Sequence, residues 1–377
     1  MHTEVLVVGA GAAGLAVAAC LKRNGIPSLI VDRGAAVGDT WASRYERLHL
    51  HTPRVQSALP GLRMPRRFGR WVGKADMARY LRGYARRHGL EPTFHTDVLR
   101  LDRDGAHWVV TTDAGTLTAR QVIVATGYSN TPVVPDWPGR ASFPGPIIHA
   151  SAYRTAAPYA GRAVIVVGAG NTGAEIAADL AENGAAEVRL AVRTPPNIIP
   201  RRVGPIPTTL LAIPMDVLPA WLVDPMNRLL QRALLGDLTR YGMPRARAGV
   251  VAQARATGLT PTIDVGLVAA LRSRRVVPVA SLERFEGTDA VLGDGSRFAA
   301  DAVIAATGYT TGLTSVAGHL GVLDRRGRPL VRGRKVLPEA PGLSFIGLTN
   351  PLKGQLFQIR LDARAVARSV AREQRLS

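Results

Sequence analysis

The stretch EVLVVGAGAAGLAVAACLKRNGIPSLIVD, residues 4–32, decides the fold of the N-terminal region. Its apolar residues predict a strand over residues 4–8, a buried helix over about residues 14–24 and a second strand over residues 28–31. Glycines lie between the first strand and the helix, where the chain must turn sharply. The stretch therefore predicts a βαβ unit with two parallel strands, the unit from which α/β folds are built.

Three glycines in this turn, Gly9, Gly11 and Gly14, keep the GxGxxG spacing of dinucleotide-binding loops. The first allows the tight turn, the second lets the backbone approach a pyrophosphate, and the third lets the helix pack on the strand. The helix N-terminus then presents unpaired N–H groups and its dipole to the phosphates. Asp32 follows the second strand, where a carboxylate accepts hydrogen bonds from a ribose. We therefore predict a dinucleotide site that selects an unphosphorylated ribose.

The same pattern returns in the middle of the chain. A strand is predicted over residues 163–167, a helix up to about residue 183 and a second strand over residues 187–192. The turn between the first strand and the helix has three glycines with the same spacing: Gly168, Gly170 and Gly173. Two dinucleotide sites are therefore predicted in one chain.

The second unit ends in a cation where the first ends in an acid. Arg193 stands twenty residues after Gly173, and a guanidinium makes bidentate hydrogen bonds to a phosphate such as the 2′-phosphate of NADPH. The alternative interpretation is an arginine that only faces solvent, and Arg201 and Arg202 are further candidate cations. The first interpretation predicts FAD in the acid-ended site, NADPH in the arginine-ended site and hydride transfer to the flavin.

The composition restricts what a reduced flavin can do in this chain. Of its 377 residues 46% are hydrophobic and 20% are charged, which is a globular composition. Cys20 is the single cysteine and is predicted to be a small core residue, so neither an internal disulfide nor a CxxC pair can form. Disulfide-reductase chemistry is excluded and no metal site is predicted. A quinone, another protein or dioxygen is left as the electron acceptor.

The chain is strongly basic, with 48 lysines and arginines against 28 acids and a formal net charge of +20. Because the arginines are scattered and no groove-reading motif is present, we predict a solvated basic surface that attracts anionic cofactors or substrates. The apolar N-terminus lacks the basic region of a signal peptide, and no other stretch of membrane-spanning length is free of charge and proline. We expect a cytoplasmic monomer or homodimer with no nucleic-acid or membrane partner.

Each βαβ unit is followed by an alternating strand pattern and an Ala-Thr-Gly-Tyr turn, at residues 125–128 and 306–309. The two halves are therefore unequal copies of one plan. The extra residues of the second copy, about 195–261, are interrupted by prolines and then helical, and we expect them to pack over the site. A strand over residues 343–346 and a helix over about 356–372 close the chain. The fold class is α/β with two dinucleotide-binding, Rossmann-like domains.

Between the two glycine motifs, residues 143–153 read FPGPIIHASAY and match FxGxxxHxxxY, the fingerprint of the flavin-containing monooxygenases. Tyr153 stands where the related Baeyer–Villiger enzymes usually carry tryptophan. GDTW at residues 38–41, RLHLHTP at residues 47–53 and PTIDVG at residues 261–266 resemble segments of the YUCCA-type branch and its bacterial relatives. The chain thus resembles class B flavin-containing monooxygenases over nearly its whole length.

This resemblance implies an NADPH-binding domain inserted in an FAD-binding domain. We expect the first part of the FAD domain over residues 1–140, the NADPH domain with its helical excursion over residues 141–311, and the return segment of the FAD domain over residues 312–377. The sequence departs from the plant pattern in GLTNPLKGQ, residues 347–355, and in the turn over residues 125–130.

The resemblance also implies a reaction. In this family NADPH reduces FAD, NADP⁺ stays bound, and dioxygen forms a flavin C4a-(hydro)peroxide that attacks a small hydrophobic or aromatic substrate. The YUCCA branch decarboxylates indole-3-pyruvate oxidatively, which suggests an aromatic 2-oxo acid as the substrate. The alternatives are N- or S-oxygenation of an amine or sulfide, an NADPH oxidase or flavin reductase without productive oxygenation, and a basic binding protein without enzymatic activity.

Carried over position by position, the resemblance gives three candidate catalytic residues: His51, Asn171 and Gln355. His51 either holds the reacting flavin or the nicotinamide or belongs to the scaffold, and Asn171 either reaches NADP⁺ or is structural. Gln355 is expected to face the flavin ring, and His149 is expected to be structural. The predicted cofactor contacts are Gly9, Gly11, Ala13, Gly14, Asp32, Arg33, Thr40, Trp41, His51, Thr52, Ala125, Thr126, Gly127, Gly168, Gly170, Asn171, Thr172, Gly173, Arg193, Thr194, Arg201, Thr307, Gly308 and Gln355.

Overall fold

A computed structural model describes residues 2–215 and 218–376 of the chain. The strands are, in chain order, β1 His2–Val8, β2 Leu29–Val31, β3 Val98–Asp104, β4 His107–Thr112, β5 Gly115–Val124, β6 Thr131–Pro132, β7 Ile147–His149, β8 Ala163–Val167, β9 Glu187–Ala191, β10 Ile198–Pro200, β11 Arg202–Val203, β12 Ile206–Pro207, β13 Thr262–Asp264, β14 Val276–Val279, β15 Leu282–Glu286, β16 Asp289–Leu292, β17 Arg297–Ala299, β18 Ala302–Ala305, β19 Tyr309–Thr310 and β20 Leu343–Phe345. The α-helices are α1 Ala12–Arg23, α2 Asp39–Ala42, α3 Arg54–Ser57, α4 Lys74–His88, α5 Asn171–Glu182, α6 Thr208–Met215, α7 Ala220–Leu235, α8 Val250–Thr257, α9 Leu267–Arg272, α10 Leu313–Ala317 and α11 Gln355–Leu376. Of the helices within the described ranges, none combines the length and the apolar character needed to cross a bilayer.

The chain divides into two compact units. Within the described residues, the first unit contains the chain up to Ser43, Thr52–Thr131 and the chain from Tyr309 onward, and the second contains Arg44–His51 and Pro132–Gly308. The main segment of the second unit begins nine residues before the predicted start at residue 141 and ends three residues before the predicted end at residue 311. The sequence did not predict that the short segment Arg44–His51 belongs to the second unit.

The first unit is built on a sheet with the strand order β2-β1-β5-β4-β3. Strands β2, β1 and β5 are parallel, with Leu6 opposite Leu29, whereas β3, β4 and β5 are antiparallel. Strand β20 pairs in parallel with the end of β5, where Phe345 lies opposite Val124. The predicted βαβ unit is therefore present, and the glycine turn lies at the carboxyl end of β1.

Helix α1 is apolar on every face because it packs both on the sheet and against α11. Cys20 is buried in this helix, and burial raises the pKa of its thiol. A buried thiol with a raised pKa holds little of the nucleophilic thiolate. Cys20 is therefore a core residue, as the sequence predicts.

The second unit has a parallel sheet with the strand order β14-β9-β8-β18-β7 and a small antiparallel sheet, β15-β16-β17. Helix α5 connects β8 to β9, and Ala163 of β8 lies opposite Glu187 of β9. The excursion leaves through β10 and returns through β13, a parallel pair with Ile198 opposite Thr262. It contains α6, α7 and α8, so both its ends are fixed at one place in the unit.

Candidate active site

The first glycine turn has little room for side chains at two of its three glycines. A Cβ atom at Gly14 would lie 1.7 Å from the carbonyl oxygen of Gly9, and a Cβ atom at Gly9 would lie 2.7 Å from the carbonyl oxygen of Ala125. Gly9 also has a φ angle of +108°, which glycine tolerates best. A Cβ atom at Gly11, in contrast, would meet nothing within 4 Å. The turn thus leaves open space where a pyrophosphate would approach the backbone.

The second glycine turn repeats this geometry. A Cβ atom at Gly173 would lie 1.8 Å from the carbonyl oxygen of Gly168, whose φ angle is +110°. A Cβ atom at Gly168 would lie 2.5 Å from the carbonyl oxygen of Ala306, and Gly170 again faces open space. In each unit the Ala-Thr-Gly turn therefore lies directly against the first glycine of the motif, which explains why both sequences recur together.

Asp32 supports the first turn with both carboxylate oxygens. Oδ2 accepts a hydrogen bond from the Ala10 backbone N–H at 2.6 Å, and Oδ1 accepts one from Gly34 at 2.7 Å. Each oxygen of an ionised carboxylate can accept a second hydrogen bond, so Asp32 can still accept hydrogen bonds from the two hydroxyls of a ribose. The neighbouring Arg33 is exposed, and its guanidinium donates to the Asn130 carbonyl oxygen at 3.5 Å.

The threonines of the two Ala-Thr-Gly turns differ. Thr126 Oγ1 is buried and finds no hydrogen-bond partner among the residues that the structure describes. Thr307 Oγ1, at the matching position, donates a hydrogen bond to the Val133 carbonyl oxygen. Since buried hydroxyls are nearly always paired, the orphaned Thr126 hydroxyl fits a polar group of a bound cofactor at the first site.

Within the first unit, three of the predicted cofactor contacts share one neighbourhood. A Cβ atom at Gly354 would lie 2.4 Å from Thr52 Cγ2, so Thr52 packs against the loop that precedes Gln355. Gln355 Nε2 donates to the Gly347 carbonyl oxygen at 2.9 Å, and a Cβ atom at Gly347 would lie 2.6 Å from the Ala13 Cβ. Thr52, Gln355 and Ala13 therefore lie around the start of α1.

Thr40 and Trp41 lie on the short helix α2. This helix begins after Gly38, which has a φ angle of +90° and passes close to Ala78 of α4. Thr40 is exposed and Trp41 is half-buried. Their predicted contact with the flavin remains a prediction.

The cations predicted to select the coenzyme occupy different environments. Arg193 and Thr194 follow β9 and are both exposed. Arg201 is half-buried, and its guanidinium donates to the Leu50 carbonyl oxygen at 2.9 Å. Burial lowers the pKa of Arg201, while the nearby carboxylate of Glu175 opposes this shift. Arg202 is exposed like Arg193, so solvent reaches both of these candidate cations, and the choice of Arg193 as partner of the 2′-phosphate stays a prediction.

Both polar groups of the Asn171 side-chain amide form hydrogen bonds. Its Nδ2 donates to the Pro261 carbonyl oxygen at 3.0 Å, and its Oδ1 accepts from the Ile263 backbone N–H at 2.8 Å. Asn171 thereby fixes the return of the excursion at the second glycine turn. Thr172 follows it in the first turn of α5 and is half-buried.

His51 belongs to the second unit, although the next residue, Thr52, belongs to the first. Its Nε2 lies 3.0 Å from Glu175 Oε1, and the hydroxyl of Tyr45 donates to Glu175 Oε2 at 3.0 Å. Glu175 and Tyr45 were not among the residues predicted from the sequence. An acid in the apolar helix sequence GAEIAADL was the available signal, because a buried carboxylate requires partners.

The fingerprint residues are structural within the second unit. His149 Nε2 lies 3.1 Å from the Gly308 carbonyl oxygen, and burial lowers the pKa of His149, which favours the neutral imidazole. The hydroxyl of Tyr153 donates to Asp179 Oδ2 of α5 at 2.6 Å. A Cβ atom at Gly145 would lie 2.3 Å from the Asp301 carbonyl oxygen. The expectation that His149 is structural agrees with this position.

Comparison with known proteins identifies relatives along most of the chain. Residues 6–201 match the pyridine nucleotide-disulphide oxidoreductase family. The chain is 37% identical over 323 residues to the indole-3-pyruvate monooxygenase YUCCA8 of Oryza sativa subsp. indica, covering 82% of this chain and 76% of that protein. It is 33% identical over 350 residues to the probable indole-3-pyruvate monooxygenase YUCCA4 of Arabidopsis thaliana, covering 91% and 84% respectively. The solved structure of a flavin-containing monooxygenase from Stenotrophomonas maltophilia is 25% identical, has a TM-score of 0.75 and covers 99% of each chain.

Proposed function

We propose the oxidative decarboxylation of an aromatic 2-oxo acid as the reaction of this chain, which belongs to the family of the YUCCA indole-3-pyruvate monooxygenases. The chain is a flavin-dependent monooxygenase with FAD and NADPH as cofactors. In the proposed reaction the 2-oxo acid, dioxygen, NADPH and a proton give a carboxylic acid one carbon shorter, carbon dioxide, NADP⁺ and water. One oxygen atom enters the new carboxylate and the other leaves as water.

The observation that carries the choice of substrate is the relationship to proteins named for indole-3-pyruvate, at 33% to 37% identity. The net charge of +20 supports an anionic substrate, because a basic protein raises the local concentration of carboxylates. The single cysteine, Cys20, is buried. The chain therefore lacks the pair of cysteines that a disulfide reductase of the wider family would need.

The first glycine turn fits FAD. The open space at Gly11 admits the pyrophosphate, Asp32 accepts the ribose hydroxyls, and the orphaned hydroxyl of Thr126 offers a further hydrogen bond. The flavin, when bound, supplies the reaction with dioxygen, and the protein supplies orientation and electrostatics. The Thr52 and Gln355 side chains, which lie around the start of α1, orient the flavin-side part of this site.

The second glycine turn fits NADPH. Gly170 leaves open space for the pyrophosphate, and α5 directs its N-terminal N–H groups at the same place. Arg193 is exposed beyond the end of β9 and pairs with the 2′-phosphate. Asn171 holds the turn through its two backbone hydrogen bonds rather than by releasing its amide to the coenzyme.

The substrate is tested with purified yellow protein, NADPH and ¹⁸O₂. Indole-3-pyruvate and phenylpyruvate are compared with a tertiary amine and a thioether, and the products are identified by mass spectrometry. We expect the oxo acids to give the shortened acid with one ¹⁸O in the carboxylate and close to one carbon dioxide per NADPH. The Gly11→Val variant, which should lack flavin, is the matched blank.

A different set of products would contradict the proposed reaction. Coupled formation of an N-oxide or sulfoxide, together with NADPH consumption that yields only hydrogen peroxide with both oxo acids, would contradict the decarboxylation. Such a result would leave the monooxygenase assignment intact. Hydrogen peroxide with every substrate would instead favour an NADPH oxidase.

A further inference from the structure

The strand through which the excursion returns, β13, lies directly against the second glycine turn. Thr262, the first residue of this strand, is only 1% exposed, and its hydroxyl donates a hydrogen bond to the carbonyl oxygen of Ala169 at 2.8 Å. Ala169 stands between Gly168 and Gly170, the first two glycines of the motif. Both belong to the second unit, so this contact lies within one compact unit.

The position of Thr262 is fixed by the start of the excursion. The backbone N–H of Thr262 donates to the carbonyl oxygen of Asn197 at 2.8 Å, and Ile198 of β10 lies opposite Thr262 in the parallel pair. Asn197 is 6% exposed, and its side-chain amide donates to the Ala248 carbonyl oxygen at 3.0 Å and to the side chain of Gln253. The Thr262 hydroxyl therefore acts on the glycine turn from a well-supported place.

The hydrogen bond to Ala169 sets the direction of one peptide group in the turn. In a planar trans peptide, the C=O of one residue and the N–H of the next point in opposite directions. Because the Ala169 carbonyl is directed at the Thr262 hydroxyl, the N–H of Gly170 is directed away from Thr262. Gly170 is the N-cap residue of α5, so this N–H is one of the donors that a helix leaves for another partner, such as a phosphate.

Gly170 also makes this peptide group easy to turn over. A flip of the peptide plane would bring the φ angle of Gly170 from −73° to a positive value, which glycine adopts at little cost. The flipped peptide would present the carbonyl oxygen of Ala169 on the side that now presents the Gly170 N–H, and an oxygen there would repel a phosphate. The flipped peptide also loses the hydrogen bond from Thr262, so this bond opposes the flip.

The first glycine turn is supported in another way. Ala10, at the position that matches Ala169, donates its backbone N–H to Asp32 Oδ2 at 2.6 Å. We propose that Thr262 is a positioning residue for NADPH, whose hydroxyl holds the peptide between Ala169 and Gly170 so that the Gly170 N–H is available to the pyrophosphate. The proposal rests on the proposed assignment of NADPH to the second glycine turn and does not depend on which substrate is oxygenated.

Four variants separate positioning from a purely structural role. Thr262→Val keeps the branched shape and removes the hydroxyl, whereas Thr262→Ser keeps the hydroxyl. Thr112→Val is the matched control, because Thr112 is a buried residue at the end of β4 in the first unit and its hydroxyl also donates to a backbone carbonyl oxygen, that of Gly115, at 2.6 Å. Gly170→Val tests the NADPH site itself.

The first measurement is the affinity of the FAD-containing protein for two ligands. The Kd for NADP⁺ is obtained by calorimetry, and the Kd for adenosine 2′-monophosphate, which has the 2′-phosphate and lacks the pyrophosphate, by displacement of NADP⁺. We expect Thr262→Val to raise the Kd for NADP⁺ about five- to tenfold, as for the loss of one hydrogen bond, and to leave the Kd for adenosine 2′-monophosphate within a factor of about two. Thr262→Ser and Thr112→Val should bind both ligands as the wild-type protein does.

The second measurement is the reduction of the flavin by NADPH without dioxygen, followed at 450 nm. We expect Thr262→Val to raise the NADPH concentration at half-maximal rate and to leave the limiting rate close to that of the wild-type protein, because the lost contact concerns binding of the pyrophosphate. A lowered limiting rate with unchanged Kd for NADP⁺ would overturn the proposal.

Equal loss of affinity for both ligands in Thr262→Val would also overturn it, since that result would indicate a general disturbance of the unit. Unchanged NADP⁺ affinity in Thr262→Val together with weakened binding in Gly170→Val would reject the role of Thr262 alone. Unchanged NADP⁺ affinity in Gly170→Val would reject the assignment of NADPH to this turn and the proposal with it. If Thr262→Val does not fold, Thr262→Ala and Thr262→Ser differ by the same hydroxyl, and equal NADP⁺ affinities in that pair refute the proposal.

Discussion

The glycine turns after β1 and after β8 share one backbone geometry but differ in the groups around them. In each turn, a Cβ atom added to the third glycine would lie within 2 Å of the carbonyl oxygen of the first glycine. In each turn, the second glycine faces open space. The first turn is flanked by Asp32 and the unpaired Thr126 hydroxyl. The second is flanked by Arg193 and by Thr307, which is paired to Val133. We therefore propose that the shared backbone geometry accommodates a dinucleotide and that the flanking side chains select which dinucleotide binds.

The largest expected effect comes from Gly14→Ala. The added Cβ would stand 1.7 Å from a backbone oxygen, so α1 must leave the sheet, at a cost above about 3 kcal/mol. We expect protein without flavin and with a strongly lowered Tm, measured by absorbance at 450 nm and by calorimetry. The control is Gly83→Ala in α4, where a Cβ meets nothing within 4 Å and the Tm should not fall. A Gly14→Ala protein with full FAD and wild-type Tm would show that the turn has another geometry.

Substitutions at Gly11 and Gly170, which both face open space, should each impair the binding of one cofactor without unfolding the protein. Gly11→Val is expected to abolish FAD binding while the apoprotein keeps its fold, because the side chain fills only the space for the pyrophosphate. Gly170→Val should retain FAD and raise KM for NADPH about 100-fold, the loss of two charge-assisted hydrogen bonds of about 1.5 kcal/mol each. Flavin content and steady-state kinetics measure both. If each variant lost both cofactors equally, the two turns would not act independently.

Arg193→Ala should change coenzyme preference rather than activity with every coenzyme. We expect kcat/KM for NADPH to fall about 10- to 100-fold and kcat/KM for NADH to stay within a factor of about two, since only NADPH carries the 2′-phosphate. Arg325→Ala, which removes one exposed charge from the first unit, controls for net charge. An equal loss with both coenzymes would exclude Arg193 as the selector.

The smallest expected effect concerns the two threonines. Thr126→Val should weaken FAD binding about fivefold, equivalent to about 1 kcal/mol for one hydrogen bond, and should leave the apoprotein as stable as before. Thr307→Val should have the reverse effect, a loss of about 1 kcal/mol in the free energy of unfolding with unchanged FAD affinity, because its hydrogen bond to Val133 lies within the protein. Flavin fluorescence titration and denaturant unfolding distinguish the two. Identical behaviour would show that the Thr126 hydroxyl does not contact the cofactor.

The sequence by itself determined both βαβ units, because strands, helices and tight turns follow from local periodicity and from residues such as Gly9 and Gly168 that adopt positive φ angles. The places of Asp32 and Arg193 just after β2 and β9 were predicted in the same way, whereas their roles in cofactor binding stay predictions. The buried position of Cys20 likewise followed from a helix that is apolar on all sides.

Only the tertiary structure decided which unit the segment Arg44–His51 joins and which groups surround Glu175. Tyr45 and Glu175 are 130 positions apart, and no local pattern links a tyrosine in a loop to an acid in a distant helix. The repetition of the Ala-Thr-Gly turns is visible in the sequence. Its cause is visible only in the structure, where Ala125 packs against Gly9 and Ala306 packs against Gly168. Periodicity specifies local conformation and burial, whereas pairing between distant polar groups arises only when the packed chain brings them together and excludes water from both.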